Sequence, residues 1–314
     1  MKKEISSDTK VAELMLYLRL SQIFVNEEYK AGKFKIPVHL AMGHEAIAIA
    51  VSDVLAPEDK LVLSHRNIAY NVARAGHIRP ILDEYLLKPT GLAKAKLGSM
   101  NLINPERNVI YTSSILGNNF SVSSGIAMAE KVRVSAGVTF VLGGDGSIEE
   151  GSFYESLTIM KTLGLRVVVI IENNGWSLAT RIRERRCPID LEKFASALDI
   201  PYLLLSGNDV EVYERKIFEA RDRVLKENGP ICIEVSVETL GDWRGPQTPE
   251  FPEGKYINYH AGPSPSVDIF KHAPSGILKE NAEDPLFVLQ GKIGKEKFAE
   301  LAEKVFEKLK KELA

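Results

Sequence analysis

The sequence predicts an α/β fold in which helices flank a parallel β-sheet. Two short runs of apolar, largely β-branched residues, 138–142 and 167–171, are typical of strands buried on both faces. The segment between them, 152–163, has apolar residues at helical spacing and is closed by a glycine. Strand, helix and strand in this order predict a crossover unit. Such units are right-handed, which places the ends of both strands on one edge of the sheet.

The remaining elements follow the same two patterns along the chain. Apolar residues at helical spacing predict helices, and short β-branched runs predict further strands. Glycine and proline bound most of these segments. The predicted helices cover residues 11–30, 191–198, 210–226 and 295–314, with two more that begin after Gly43 and within 111–129; the predicted strands cover residues 61–63, 202–205 and 229–235.

Composition narrows the class of protein. The chain has 314 residues, 45% of them hydrophobic, and is long enough to bury a large core. Its 40 basic and 42 acidic residues leave no electrostatic footprint for nucleic acid. Cys187 and Cys232 have no disulfide or metal spacing, and residues 1–10 lack an apolar signal region. No run approaches the roughly 18 apolar residues of a membrane span. We therefore expect a soluble, cytoplasmic protein with no nucleic-acid or membrane partner.

Polar turns follow both strands of the crossover unit. The motif Gly-Asp-Gly (144–146) follows the first strand and Asn-Asn (173–174) follows the second, with 26 residues between them. Mg²⁺ prefers oxygen ligands from one or two carboxylates, phosphates and water. Asp145 offers a carboxylate, Asn174 an amide oxygen and Trp176 a backbone carbonyl. These three residues are the predicted metal ligands.

The first turn also suits an anion. Gly144 and Gly146 let the main chain approach a phosphate closely, and the Ser147 amide points from a forming helix N-terminus. The sequence has no GxxxxGK[ST] string, so a Walker-type nucleotide site is not indicated. A diphosphate bridged by Mg²⁺ is the predicted ligand.

Gly-Asp-Gly, 26 residues and Asn-Asn together resemble the thiamine diphosphate motif. The string GDGSIEEGSFYESL…VVVIIENNGWSLAT is similar to the alpha subunit of the first component of 2-oxo acid dehydrogenase complexes, a family that includes the pyruvate, branched-chain and acetoin enzymes. The resemblance runs from about Thr9 to the C-terminus. It implies a thiamine diphosphate-binding fold, of which this chain forms the diphosphate-binding module, with thiamine diphosphate and Mg²⁺ as cofactors.

The resemblance also implies further cofactor contacts. Arg66 matches an arginine that grips the terminal phosphate, and a guanidinium fork suits a phosphate better than a lysine does. Leu116 matches a residue that presses between the two thiamine rings. The backbone at Ser114 and Leu116 is expected to meet the aminopyrimidine.

Several positions depart from the family pattern. Two family histidines are absent, because Asn101 and Asp242 occupy their positions, and Asn101 cannot shuttle protons near neutral pH. His44 stands where the family has glutamine, and His65 where it often has tyrosine. We propose His65, together with His260 from the later loop, as candidate catalytic residues. Reductive acylation of a lipoyl group needs proton donors, and the two family histidines are missing from this chain.

Two segments around the motif differ in composition. Residues 239–275 contain six prolines and little periodicity, which predicts a long loop or arm rather than sheet. The basic run RIRERR, 181–186, is either a solvated charge cluster or a contact for an anionic or phosphorylated substrate. We expect an α/β domain over 1–238 that binds thiamine diphosphate and Mg²⁺, the arm over 239–275, and a C-terminal helical segment over 276–314 packed on that domain.

A two-chain enzyme follows from the resemblance. A thiamine diphosphate enzyme also needs a module that presents a glutamate to the pyrimidine ring, and this chain has no room for a second domain of about 150–200 residues. We therefore expect a beta subunit to supply the glutamate in an α2β2 assembly, and a lipoyl-bearing acyltransferase is a further candidate partner. The expected reaction is decarboxylation of a 2-oxo acid and transfer of the resulting unit. A transketolase-like carboligase with an aldehyde or sugar acceptor and a degenerate, non-enzymatic subunit are the alternatives.

Overall fold

A computed structural model describes residues 8–314 of the chain. Residues 1–7, which belong to the segment expected to lack a signal region, lie outside the described residues. The strands are β1 (Lys60–Ser64), β2 (Val109–Ser113), β3 (Thr139–Gly144), β4 (Val167–Asn173), β5 (Trp176–Ser177), β6 (Thr180–Arg181), β7 (Tyr202–Leu205), β8 (Ile231–Ser236), β9 (Asp242–Arg244) and β10 (Tyr256–Asn258). The helices are α1 (Asp8–Lys30), α2 (Glu45–Val54), α3 (Ile68–Ala75), α4 (Arg79–Tyr85), α5 (Asn118–Val132), α6 (Gly151–Thr162), α7 (Ile182–Arg185), α8 (Leu191–Ala197), α9 (Val210–Glu227), α10 (Ile269–His272), α11 (Pro285–Ile293) and α12 (Lys295–Leu313).

A parallel sheet forms the centre of the molecule. Within residues 8–314 it has six strands in the order β2-β1-β3-β4-β8-β7. Strands β3 and β4 are direct parallel neighbours, and their register runs from Thr139 opposite Val167 to Gly144 opposite Glu172. The Gly-Asp-Gly and Asn-Asn turns therefore leave the same edge of the sheet side by side. The predicted fold class, a parallel sheet flanked by helices, is confirmed.

Alternate residues of the strands supply two separate cores. On one face, residues such as Phe140 and Ile170 pack with α1, α2, α9 and α12 in the larger core. On the other face, residues such as Val141 and Val169 pack with α5, α6 and α8. Burial on both faces explains why these strands read as continuous apolar runs. It also fixes their register, because a slip of one residue would exchange the two faces.

A buried charge cluster joins the first helix to the C-terminal segment. The Arg19 guanidinium of α1 donates to both oxygens of Glu45 at 2.7 and 2.9 Å and to both oxygens of Asp284 at 3.0 and 3.1 Å. All three side chains are fully buried. Glu45 also accepts a hydrogen bond of 2.8 Å from the Gly43 amide. The cluster ties α1, the start of α2 and the start of α11 together, and α12 packs along α1.

The proline-rich segment has more regular structure than expected. Strands β9 and β10 form an antiparallel ladder in which Trp243 lies opposite Ile257, and the short helix α10 follows. The expectation of a segment without sheet is therefore wrong at these two strands. Each strand has only three residues, too short for an alternating pattern to stand out in the sequence. No helix within residues 8–314 combines the length and the apolar character required to cross a bilayer.

Candidate functional site

A cavity of about 290 Å³ opens at the edge of the sheet where β1, β3 and β4 end. It contains every site residue proposed from the sequence. The cavity is lined by His65, Arg66, Ser114, Leu116, Gly144, Asp145, Gly146, Ser147, Asn174, Trp176 and His260, and also by His39, His44, Glu172 and Tyr259. Residues that are up to 221 positions apart in sequence thus face one space, at the place where open α/β sheets bind ligands.

Asp145 is buried and forms an ion pair with the Arg185 side chain. Its carboxylate accepts a hydrogen bond of 2.5 Å from the Arg185 guanidinium, and Arg185 and Arg186 both bind Glu149 at 2.5 and 2.8 Å. Burial raises the pKa of the Asp145 carboxyl above its ordinary value, although Arg185 acts in the opposite direction. The arginine run, interpreted in the sequence as a solvated cluster or a substrate contact, supplies an internal counter-ion to the predicted metal ligand.

The Asn174 side chain has a fixed orientation beside the cavity. Its Oδ1 accepts a hydrogen bond of 3.0 Å from the Trp176 amide, and its Nδ2 donates one of 2.7 Å to Thr239. The neighbouring turn is tight, because a Cβ added at Gly146 would lie 2.7 Å from the Ser177 hydroxyl. A side chain at 146 would therefore displace Ser177 of β5, and glycine allows this close packing.

The first turn is closed by its own serine. Ser147 is buried, and its hydroxyl accepts a hydrogen bond of 3.1 Å from the Gly144 amide. At Gly144 an added Cβ would make only ordinary contact, 3.8 Å from a backbone oxygen. The sequence predicted that both glycines allow the main chain to approach a phosphate closely. Only at Gly146 would an added Cβ displace a neighbouring residue.

Arg66 is a buried cation that faces the cavity without an ionic partner. It is 8% exposed, and its guanidinium donates to the carbonyl oxygens of Leu40 and, at 3.1 Å, His260. The ring of Tyr259 lies 5.9 Å from it. Among residues 8–314 no carboxylate forms an ion pair with Arg66, and burial lowers its pKa from the ordinary value. A buried guanidinium in this state favours the binding of an anion.

Three histidines pack against one another beside Arg66, two pairs of rings edge to face and the third pair tilted. The ring centres of His39 and His65 are 4.7 Å apart, those of His39 and His260 are 5.1 Å apart, and those of His65 and His260 are 6.1 Å apart. Trp243 of the arm lies 5.8 Å from His260. His260 therefore reaches the cavity, as the sequence analysis proposed, because the β9–β10 hairpin folds back over the sheet edge.

The surroundings keep these three rings neutral. Burial, and then the charge of Arg66, lower the pKa of His39 to about 2, that of His65 to about 3 and that of His260 to about 4. A neutral imidazole offers one donor and one acceptor nitrogen. The Nδ1 atom of His39 is buried without a hydrogen-bond partner in the structure, so the cluster has an unused polar group close to the cavity.

The two positions where family histidines are absent have structural contacts instead. Asn101 accepts a hydrogen bond of 3.3 Å from the Ser114 amide through its side-chain oxygen. Asp242 accepts hydrogen bonds from the Ser264 hydroxyl at 2.9 Å and the Ser266 amide at 3.0 Å, which fold the arm onto itself. Neither residue replaces an imidazole, whereas the histidine cluster places three imidazoles in the cavity from other positions.

The rim of the cavity is apolar and exposed. Leu116, the residue expected between the thiamine rings, lines the cavity and is 40% exposed. Ile115 and Leu178 beside it are 69% and 54% exposed. Exposed apolar side chains clustered around a polar cavity are typical of a surface that another molecule covers.

Sequence reasoning missed several residues of the cavity. His39, Glu172 and Tyr259 line it, and Arg185 reaches its carboxylate. His39 lies in an extended segment without periodicity, and Tyr259 lies in the proline-rich arm. Glu172 precedes the Asn-Asn turn directly, so its position beside a predicted metal ligand was a usable signal. No group of three or more His, Cys, Asp or Glu side chains suited to a metal ion occurs in residues 8–314. Two carboxylates, those of Asp145 and Glu172, line the cavity together with the Asn174 amide, and Asp145 and Asn174 are the two predicted as metal ligands.

Fold and cavity together define a thiamine diphosphate-type α/β protein. Two solved structures share the fold: a transketolase from Leishmania mexicana, with a TM-score of 0.61 at 18% identity over 97% of this chain and 47% of that chain, and one from Campylobacter jejuni, with a TM-score of 0.61 at 16% identity over 99% and 49%. This chain spans about half the length of those transketolases. At such identities the likeness shows the fold alone.

The chain belongs to the dehydrogenase E1 component family, whose model matches residues 12–237. It is 28% identical to the alpha subunit of an acetoin:2,6-dichlorophenolindophenol oxidoreductase from Bacillus subtilis, over 78% of this chain and 75% of that protein. It is 31% identical to the alpha subunit of the pyruvate dehydrogenase E1 component from Rickettsia bellii, over 70% and 68%. The prediction of an E1 alpha-type chain is confirmed, and the transketolases remain relatives in fold.

Proposed function

We propose that this chain is the alpha subunit of a two-chain 2-oxo acid dehydrogenase-type enzyme and holds thiamine diphosphate and Mg²⁺ at the described cavity. Asp145, Asn174 and the Trp176 carbonyl are its metal ligands in this proposal. The division into a cofactor domain, 1–238, an arm, 239–275, and a helical segment, 276–314, is part of the same proposal. A cytoplasmic location is proposed with it.

The observation that carries this proposal is the buried, unpaired charge of Arg66. A guanidinium taken out of water without a counter-ion destabilises the free protein, so a site that retains one is adapted to an anionic ligand. Asp145 and Asn174 contribute hard oxygen atoms to the same cavity. Cationic and oxygen-donor groups around one space suit an anion that arrives with a divalent metal ion.

The residues present fit this cofactor. Mg²⁺ is usually bound by one or two carboxylates plus substrate phosphates and water, so a donor set with a single carboxylate is sufficient. Gly146 gives the turn its close packing, and the Ser147 amide lies at the start of a helical turn, where an anion is favoured. Leu116 lines the part of the cavity nearest the exposed rim.

The cofactor supplies the electron sink that lets carbon dioxide leave a 2-oxo acid. The chain's own tasks are to bind the diphosphate through Arg66, to position the metal and to exclude water. His65 and His260 are the proposed catalytic residues, because they face the cavity and can donate or accept a proton at a ring nitrogen. In the free chain their lowered pKa values keep them neutral.

A second chain completes the site in this proposal. The cavity has a volume at the lower end of the about 300–1,000 Å³ usual for small-molecule sites, and its apolar rim is exposed. The one glutamate among the described lining residues, Glu172, is hydrogen-bonded to Tyr70 and His44 through one of its oxygens, and in this proposal it belongs to that polar network rather than to the pyrimidine ring. A beta subunit would supply the activating glutamate, with α2β2 as the expected assembly and a lipoyl-bearing acyltransferase as a further partner.

The carboligase alternative gains no support from the arginine run. Arg185 and Arg186 are held by Asp145 and Glu149, so they are not free for a phosphorylated sugar. The test of the proposal compares the chain alone with the chain and its beta subunit. We expect thiamine diphosphate to bind with Mg²⁺, and carbon dioxide release and lipoamide acylation to require both chains. Full turnover by this chain alone, or no binding of thiamine diphosphate to the assembled enzyme, would refute it.

A further inference from the structure

Five polar side chains, of which His44, Glu172 and Asn174 line the cavity, form a continuous chain of hydrogen bonds. Tyr70 Oη and His44 Nδ1 lie 2.7 and 3.1 Å from the same oxygen of Glu172. The second ring nitrogen of His44, Nε2, lies 2.9 Å from Thr239 Oγ1. Thr239 Oγ1 in turn accepts a hydrogen bond of 2.7 Å from Asn174 Nδ2. All but Asn174 are buried, so water does not compete for these bonds.

The chain of bonds has one direction. A carboxylate only accepts, so Tyr70 and His44 Nδ1 both donate to Glu172. In the His44 tautomer with its proton on Nδ1, Nε2 is an acceptor, and the Thr239 hydroxyl donates to it. The single hydroxyl proton of Thr239 is then used. Thr239 Oγ1 can therefore only accept a hydrogen bond from Asn174. The NH₂ group of Asn174 can donate this bond, and its carbonyl oxygen cannot.

The direction of these hydrogen bonds determines the orientation of the Asn174 amide, that is, on which side its oxygen lies. With Nδ2 against Thr239, Oδ1 lies on the other side, where it accepts the hydrogen bond of 3.0 Å from the Trp176 amide. A flipped Asn174 amide would place its oxygen against the Thr239 hydroxyl, whose proton is already donated to His44. It would also place its NH₂ group against the Trp176 N–H, so that two donors face each other. Both hydrogen bonds would be lost. The observed orientation leaves Oδ1 a second lone pair for a metal ion.

We propose that His44 is a positioning residue for the metal site. It acts through Thr239 and fixes the Asn174 amide with its oxygen available to the cation. The inference rests on the proposed function, because it assumes a metal at Asn174. His44 replaces the glutamine of the family it resembles, and a glutamine side chain can also donate to Glu172 and accept from Thr239.

The test measures the Mg²⁺ dissociation constant at saturating thiamine diphosphate, by calorimetry on the assembled enzyme. Breaking the chain with Thr239→Val or His44→Leu should weaken Mg²⁺ binding by about 10- to 100-fold, the effect usual for residues that orient metal ligands. Thr239→Ser and His44→Gln keep the polar groups and should restore most of the affinity. The double variant His44→Leu/Thr239→Val should be no weaker than the worse single variant, because both changes break one chain.

Two controls separate positioning from general damage. Thr112→Val removes a buried hydroxyl that donates at 2.7 Å to the Leu102 carbonyl, outside the cavity lining, and should leave Mg²⁺ affinity unchanged. Binding of thiamine diphosphate without metal should be the same in Thr239→Val as in the unaltered enzyme. If His44→Leu does not fold, Thr239→Val and its serine counterpart decide the matter.

The outcomes distinguish this inference from the proposed function. Metal-dependent binding in the unaltered enzyme together with unaltered Mg²⁺ affinity in Thr239→Val would overturn the positioning role alone. Additive losses in the double variant would also overturn it. An unaltered enzyme whose thiamine diphosphate binding does not depend on metal would overturn both.

Discussion

Replacing Arg66 by glutamine separates two opposite effects of a buried positive charge. In the free protein the guanidinium has two carbonyl acceptors and no ionic partner among the described residues. Relief of this buried charge offsets the loss of those two hydrogen bonds. We therefore expect the free energy of unfolding of Arg66→Gln to change by less than about 1 kcal/mol.

Binding of the diphosphate should respond much more strongly. A charge-assisted hydrogen bond contributes about 1.5–3 kcal/mol, so the loss of one or two of them costs about 3 kcal/mol in all. At about 1.4 kcal/mol for each factor of ten, the dissociation constant of thiamine diphosphate should rise by about 100-fold. Calorimetric titration of the assembled enzyme at saturating Mg²⁺ measures this change, and denaturant unfolding of the same variant measures stability.

Arg221 provides a matched control. It is a mostly buried arginine, but it is paired with Asp59 through hydrogen bonds of 2.7 and 3.0 Å. Arg221→Gln leaves the fully buried Asp59 carboxylate without this partner and should destabilise the protein while leaving cofactor affinity unchanged. The reasoning about Arg66 fails if Arg66→Gln loses as much stability as Arg221→Gln and keeps its affinity for thiamine diphosphate.

Three further predictions follow from the charges around the cavity. Arg185→Gln removes a guanidinium that repels a divalent cation at Asp145, so the Mg²⁺ dissociation constant at saturating thiamine diphosphate should fall about tenfold, the equivalent of one charge-assisted hydrogen bond. Inorganic pyrophosphate bound at Arg66 should raise the pKa of His260 above its value of about 4, which NMR titration of the imidazole measures, because the charge of Arg66 is one cause of the lowered value. The pKa of His39 is about 2 in the folded protein and about 6.5 in an unfolded chain. Below pH 6.5 the unfolded state therefore binds more protons, and the free energy of unfolding should fall as the pH falls from 6.5. Denaturant unfolding of His39→Leu should show a flatter pH dependence.

Each of these predictions has an outcome that contradicts it. Unchanged or weaker Mg²⁺ binding in Arg185→Gln would mean that the arginine does not compete with the metal. A His260 signal that titrates alike with and without pyrophosphate would separate that ring from the anion site. A pH dependence of stability in His39→Leu equal to that of the unaltered protein would show that this histidine is not the buried neutral group described.

The centre of the fold could be predicted because its signals are local. The apolar runs at 138–142 and 167–171 correspond to β3 (Thr139–Gly144) and β4 (Val167–Asn173), each of which extends into the first residue of its polar turn. Burial on both faces makes such strands readable without knowledge of their partners. The rule that crossover connections bring strand ends to one edge then placed Asp145 and Asn174 side by side.

The pairing of distant charges could not be predicted in the same way. Arg185 binds Asp145 because the short β5–β6 hairpin turns the chain back over the first motif, and composition alone indicated only a basic run. His39 and His260 are 221 positions apart, and the arm that joins them to one cluster has strands of three residues. Such contacts depend on long-range packing, which leaves no periodic trace in the sequence.

The direction of the His44 network was hidden for a different reason. The sequence has a histidine at 44 where the resemblance implied a glutamine, but its consequence depends on which atoms of Glu172, Thr239 and Asn174 contact it. Hydrogen-bond polarity is a property of the assembled group. The sequence therefore located the departure, and the structure was needed to interpret it.

The most direct measurement is a crystal structure of the assembled alpha and beta chains with thiamine diphosphate and Mn²⁺ in place of Mg²⁺, in which anomalous scattering locates the metal. We expect one metal ion bonded to Asp145, to Asn174 Oδ1 and to the diphosphate. We also expect Arg185 to be displaced from Asp145 and Arg66 to contact the terminal phosphate. A metal ion bound elsewhere, or a diphosphate that avoids Arg66 while Arg185 stays on Asp145, would contradict it.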